Sequence, residues 1–173
     1  MSTVEKRFHF RNRAVRRTRL HAPVKFMLAV VALLSASVSA QNAQRPESLI
    51  KWRQSAYQVI AWNSGRIKAA LAGSYPRQEV QSAANALAAV ANSGLATLFI
   101  PGTASGKGWR ETTAREEVFS DADKFRALTE EFAREANTLA RVAAAGDRTT
   151  VNEQFLKVAQ TCKSCHNQFR QTE

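Results

Sequence analysis

The chain has 173 residues and a formal charge of +11, with 25 lysines and arginines against 14 acidic residues. That excess invites a nucleic-acid reading, but eight of the basic residues and one acidic residue fall in residues 1–40. Residues 41–173 carry 17 basic and 13 acidic side chains, or +4, so no nucleic-acid partner is expected.

Residues 1–40 read as a targeting segment. A basic stretch is followed by an apolar run from Phe26 to Leu34, then by Ser35-Ala36-Ser37-Val38-Ser39-Ala40. Val38 and Ala40 satisfy the small-residue rule for export, which places cleavage after Ala40 and the product in the periplasm. The apolar run is too short to span a bilayer, so no stable membrane insertion is expected after cleavage. The 133 residues from 41 to 173 are expected to form one domain, large enough to bury a core without disulfides.

The first periodic stretch runs from Glu47 to Ala72. Leu49, Trp52, Ala56, Val59, Asn63 and Ala70 recur at steps of three and four, with Ile60, Ile67 and Leu71 alongside. Pro46 suits a helix start. Gly73-Ser74-Tyr75-Pro76 ends this helix, with Ser74 as the cap of a second over Pro76–Leu98, whose inward seam is rich in alanine. Phe99-Ile100-Pro101-Gly102 stops it.

Residues 102–115 are the one long loop. Gly102, Gly106, Lys107 and Gly108 look like a phosphate-binding loop but fail the pattern. Three residues, not four, separate the first two glycines, and Gly108 stands where Ser or Thr must follow the lysine. The segment reads as a flexible crossover. A third helix is expected from Ser120-Asp121, with Phe125, Leu128, Phe132, Ala136, Leu139 and Val142 inward and Gly146 at its C′ position. Thr150-Val151-Asn152-Glu153 reads as a capping box for the fourth. There Val151, Phe155, Val158, Cys162, Cys165 and Phe169 repeat strictly as four-three-four-three-four. Four helices with short first and third connections predict an all-α fold, an antiparallel up-down-up-down four-helix bundle.

The last of these helices carries the chemistry. Cys162-Lys163-Ser164-Cys165-His166 has the C-x-x-C-H spacing of a c-type haem attachment site. Two thiols three apart on a helix reach both vinyl groups of one porphyrin, and the following imidazole turns under the ring to bind iron. Both cysteines of the chain are in this motif. Competing readings are weaker. Zinc needs about four ligands and there is no second cluster. A thioredoxin-like pair should follow a strand. A Cys nucleophile and an adjacent His base point about 100° apart on a helix. A plain disulfide is the remaining alternative. Because both cysteines occupy seam positions, one covalent haem c is expected in the core of the bundle.

The sixth iron ligand decides the function. Met1, Met27, His9 and His21 all lie before the cleavage point, so the mature chain has no methionine and no histidine besides His166. Tyr57, a lysine or water remain as weaker candidates. The inventory points to a five-coordinate iron.

At this point the chain resembles the cytochromes c′, the four-helix class II c-type cytochromes, over residues 45–173. Arg53-Gln54-Ser55-Ala56 is similar to the family's Arg-Gln-Ser-Ala segment, Gly65-Arg66 to its Gly-Arg, and Phe99-Ile100-Pro101-Gly102-Thr103 to its Phe-x-Pro-Gly-Thr turn. Residues 114–121 resemble the segment opening its third helix. The resemblance implies that Arg53 and Gln54 contact the haem propionates and that Thr113 touches the haem edge. It places Tyr57 over the distal face of the iron, where six-coordinate relatives carry Met. Arg170 would flank the proximal side. The loop from Thr103 is several residues longer than the family's. The resemblance also implies pairing through the first two helices, which makes a homodimer the expected assembly, and Trp52, Trp62 and Trp109 are expected to serve in packing.

Two functions follow as expectations. The first is a haem protein that binds diatomic gases such as NO and CO and exchanges single electrons with small periplasmic redox proteins. The second is a dedicated six-coordinate electron-transfer cytochrome. No enzyme is expected, because the distal side offers no histidine as acid and base.

Overall fold

Pro46 opens the first helix, where its missing N–H costs nothing and its fixed φ suits the first turn. The computed structural model describes residues 45–171, so the export segment, its cleavage after Ala40, and His9, His21, Met1 and Met27 lie outside the described residues. Five α-helices follow: α1 Pro46–Ala72, α2 Arg77–Ala91, a short α3 Glu117–Ser120, α4 Ala122–Ala145 and α5 Arg148–Phe169. A 3-10 turn, Leu95–Leu98, follows α2. Among the described residues there is no strand, and two isolated bridges, Lys107 with Glu111 and Ala114 with Arg170, are the extended pairings.

The long helices form the expected antiparallel bundle. α1 packs on α2, α2 on α4, and α4 on α5. The principal core runs through Ile67, Val80, Leu87, Leu139, Val151 and Val158. Alanines of α2 and α4 let the helices close, with Ala83, Ala84 and Ala136 fully buried.

The structure shifts several expectations. The inward face of α1 keeps Leu49, Asn63 and Ala70 of the predicted seam, with Ile60 and Ile67 alongside, but it also buries Ile50 and Arg53 and turns out Trp52 and Val59, which are 63% and 44% exposed. Trp62 and Trp109 are also exposed, so none of the three tryptophans packs in the core. α2 stops at Ala91 and not at Leu98, because Gly94 adopts φ 83° and redirects the chain into the 3-10 turn. Pro76, not Ser74, holds the cap position of α2. The third bundle helix is split, since Asp121 leaves helical geometry between α3 and α4. Gly146 is extended, with φ −77° and ψ 163°, and not left-handed. Its lack of a side chain matters for space instead, because a Cβ there would lie 2.7 Å from the Val142 carbonyl oxygen. α5 begins before the predicted capping box. Asp147 caps it, accepting the Thr150 N–H at 2.9 Å.

Residues 99–116 are not a loose crossover. Ile100–Thr103 form a turn closed by Thr103 N–H to Ile100 O at 3.2 Å, with Pro101 and Gly102 at the positions a type II turn prefers. The loop then folds back on α1. A Cβ at Gly108 would come within 2.5 Å of Gln54 Oε1 and 2.8 Å of the Lys51 nitrogen, so only glycine permits this approach. Of the glycines that mimic a phosphate loop, Gly102 therefore serves the turn and Gly108 the docking on α1.

Candidate haem site

α1 and α5 face each other across a cavity of about 440 Å³, a size that suits a small cofactor. All eight side chains singled out from the sequence line it. Arg53, Gln54 and Tyr57 stand on α1, Thr113 on the loop, Cys162, Cys165 and His166 on α5, and Arg170 just past the end of α5. The helical spacing explains the convergence. Arg53 and Tyr57 are one turn apart on α1, as Cys162 and His166 are on α5, so each pair presents one face.

The walls are apolar and aromatic. Phe99 meets Tyr57 edge-on at 6.5 Å between ring centres, Phe125 at 4.8 Å, and Phe125 meets Phe169 at 5.4 Å. Each contact has the T-shaped geometry that aromatic quadrupoles favour. Phe125, Leu128 and Phe132 were legible as a helix seam, but their seam points at the cavity as much as at the core. Sequence reasoning missed Arg110 and Thr112, which share the rim. No periodic signal marks residues on an irregular loop.

The environment sets the protonation of the key groups. Burial, reinforced by the neighbouring thiols of Cys165 and Cys162, holds the Tyr57 phenol well above its ordinary value, so it is a neutral ring at physiological pH. Burial likewise pushes Cys165 up to about 11, with Cys162 adding to the effect. Cys162 is raised as well, mainly by burial. Neither thiol is a thiolate poised for nucleophilic attack at neutral pH. His166 is lowered, first by burial and then by the charge of Arg170, and so presents the neutral imidazole that metals bind. Both thiols are free, with no disulfide between them. Among the described residues no cluster of three or more His, Cys, Asp or Glu could hold a separate metal ion.

Arg53 is 3% exposed, and its guanidinium lies 4.6 Å over the Phe99 ring. It donates to Thr103 Oγ1 at 3.0 Å, to the Thr103 carbonyl, and to Thr112 Oγ1 at 2.7 Å. Of its five donors, two at most remain for a ligand. Gln54 is similarly engaged. Its Oε1 accepts the Trp109 N–H at 2.8 Å, and its Nε2 donates to the Arg110 carbonyl at 2.9 Å and the Glu111 carbonyl at 3.5 Å. The Thr113 carbonyl accepts the Gln171 N–H at 2.8 Å, and the Arg170 N–H closes on the His166 carbonyl at 3.2 Å.

The arrangement fits a haem. Two thiols and a neutral imidazole open on one wall of an apolar slot, a neutral aromatic ring faces them, and cations with amide and hydroxyl groups lie along its edge. Comparison with known proteins agrees. The family model described as Cytochrome C′ matches residues 48–170. The cytochrome c′ of Rhodocyclus tenuis is 48% identical over 130 residues, covering 75% of this chain and 98% of that one. The cytochrome c′ of Allochromatium vinosum is 40% identical over 150 residues, covering 87% and 97%. Among solved structures, a cytochrome c′ with an unusual ligand-controlled dimer dissociation superimposes with a TM-score of 0.72 at 41% identity, covering 75% of this chain and 99% of that one. The cytochrome c′ of Thermochromatium tepidum gives 0.71 at 40% identity, covering 74% and 98%. The chain is a c-type haem protein and belongs to the cytochrome c′ family.

Proposed function

We propose that this chain is a periplasmic haem protein with a five-coordinate iron, which binds diatomic gases such as NO and CO and passes single electrons to small redox proteins. The observation that carries the reading is the distal wall. Tyr57 faces the Cys162, Cys165 and His166 wall, and residues 41–173 contain no methionine and no histidine other than His166. When bound, haem c supplies an iron that cycles between ferric and ferrous and takes up neutral diatomics.

The residues divide the work by position. Cys162 and Cys165 would hold the porphyrin through thioethers, and His166 would be the axial ligand. Tyr57 would crowd the opposite face with a ring kept neutral by burial. Arg53, with at most two donors in reserve, would hold a propionate at the slot edge. Gln54 would offer the N–H that now lies 3.5 Å from the Glu111 carbonyl. Thr113 and Arg170 would close the same rim from the loop and from α5. No enzymatic role is assigned, since the distal wall lacks an acid–base pair.

The outer face of α1 supports a homodimer. Trp52 and Val59, with Val90 and Leu98, line an apolar groove on the side of the helix away from the cavity, and Trp62 lies exposed further along α1. A second copy would cover this face, as isologous helix pairs do. Sedimentation at micromolar concentration should give a dimer that Trp52→Glu converts to monomer.

The absorption spectrum of the purified protein tests the central claim. Acid–acetone should leave the colour on the chain, and the reduced protein should be high-spin. A low-spin, six-coordinate spectrum without added ligand would favour the dedicated electron-transfer reading, and extractable haem would remove the covalent one.

A further inference from the structure

His166 sits in the last turn of α5, where helical carbonyls lack internal donors and the backbone tends to fray. The loop supplies the missing donors. The Arg115 N–H donates to the Phe169 carbonyl at 3.0 Å, and Ala114 bridges Arg170. The Gln171 N–H returns to the Thr113 carbonyl at 2.8 Å. These residues are themselves tied to α1. Thr112 Oγ1 accepts from Arg53 at 2.7 Å and from the Ala114 N–H at 3.2 Å. Two residues earlier, Gln54 grips the backbone at Trp109 and Arg110, like a short strand edge. A continuous hydrogen-bonded strap therefore runs from α1, across the mouth of the cavity, to the turn that carries His166. Along the chain, the same two helices are separated by α2, this loop, α3 and α4.

We propose that Gln54 is a positioning residue for His166. Its amide fixes the loop at Trp109 and Arg110. The loop then holds the last turn of α5 and sets the angle at which the imidazole meets the iron. Gly108 belongs to the same device, because its missing Cβ lets the loop reach Gln54. The inference rests on the haem reading above, and it assigns Gln54 a task at the proximal ligand besides any contact with the propionate edge.

Gln54→Ala and Gly108→Ala, each studied as the haem-loaded protein, test the proposal. Amide hydrogen exchange at Arg115 and Gln171 should quicken about tenfold or more, while Leu87 and Leu139 keep wild-type protection. The iron–imidazole stretching band of the reduced protein should shift or broaden in both variants. Gly108→Ala decides between roles, since Gly108 does not line the cavity. If Gln54→Ala moves the band and Gly108→Ala does not, Gln54 acts by direct contact and the proposal fails. If exchange quickens but the band stays at its wild-type position, the strap is merely structural and the proposal fails as well. Failure of the haem reading would look different, because the wild-type protein itself would then show no iron–imidazole band.

Discussion

The two ends of the bundle are built on opposite principles. Where α1 ends and α5 begins, Ile67, Ala83, Ala84, Leu87, Leu139 and Val151 are fully buried, and alanine lets the helices close on each other. At the other end Phe99, Phe125 and Phe169 stand edge to face and prop the walls apart. That end gains its order from a loop bonded to α1 and to α5. The closed end can be stable on its own packing. The open end leaves apolar rings along a cavity, and burying that surface is the task of the cofactor.

Removing the cofactor should break the comparison most. In a Cys162→Ala, Cys165→Ala double variant no haem should stay attached through acid–acetone extraction. Amide exchange should then become fast from Leu95 to Val118 and over the last turn of α5. Protection should persist around Leu87 and Leu139. Uniform loss of protection would show that the closed end also depends on haem.

Cavity formation probes the closed end directly. Leu139 is fully buried, so Leu139→Ala should cost about 2–5 kcal/mol. Leu128, half-buried on the cavity wall, should cost distinctly less when changed to Ala. Urea unfolding of both holoproteins measures the pair, and equal losses would mean that the two ends are packed alike.

At the open end Tyr57 should govern ligand entry without governing stability. Its ring packs against Phe99 and faces the thiols from α1. If crowding by the ring costs an incoming ligand about 1.4 kcal/mol, Tyr57→Ala should bind CO about ten times faster. Tyr57→Met should turn the reduced protein low-spin and six-coordinate. Wild-type CO rates and spectra in both variants would remove Tyr57 from the distal face.

How much of this was legible follows the same division. The cysteine pair and His166 are local facts, and the four-three repeat of the last helix put the thiols on its inward seam; Arg53, Gln54 and Tyr57 came from the family resemblance of the first helix. The phase of α1 was legible only in part. Apolar side chains occur on both its inner and outer faces, so Trp52 and Val59 fit a seam as well as Ile50 and Ile60 do. What no local pattern shows is that Arg53 turns inward, which it can do because Thr103 and Thr112, fifty and more residues away, satisfy its donors. The hold of Gln54 on the loop and the close approach at Gly108 were unreadable for the same reason: the partners of Gln54 are backbone groups on a loop without a period. At the closed end the errors were smaller, a cap at Asp147 instead of Thr150 and a helix end at Ala91, because one turn residue shifts a boundary without moving the core.

The smallest effect expected is the pH response of two exposed carboxylates, one at each end. Asp147 at the closed end is held below its ordinary value, chiefly by the Thr150 N–H. Glu117 at the open end is lowered chiefly by its bond to Arg115 at 2.6 Å. A carboxyl that is more acidic folded than unfolded stabilises the fold above its unfolded pKa, near 4, and loses that contribution as pH falls through the folded value. Asp147→Asn keeps an oxygen to accept the Thr150 N–H but cannot titrate. It should therefore flatten the fall in melting temperature below about pH 4 while changing little at pH 7. Glu117→Gln should act in the same direction, but salt should erase its effect, because an exposed ion pair is screened. The cap at Asp147 is a hydrogen bond to backbone and should keep most of its pH response in high salt. Melting curves from pH 3 to 7, at low and at about 1 M salt, separate the two. An equal salt sensitivity at both sites would mean that Asp147 acts through its charge and not through the bond that starts α5.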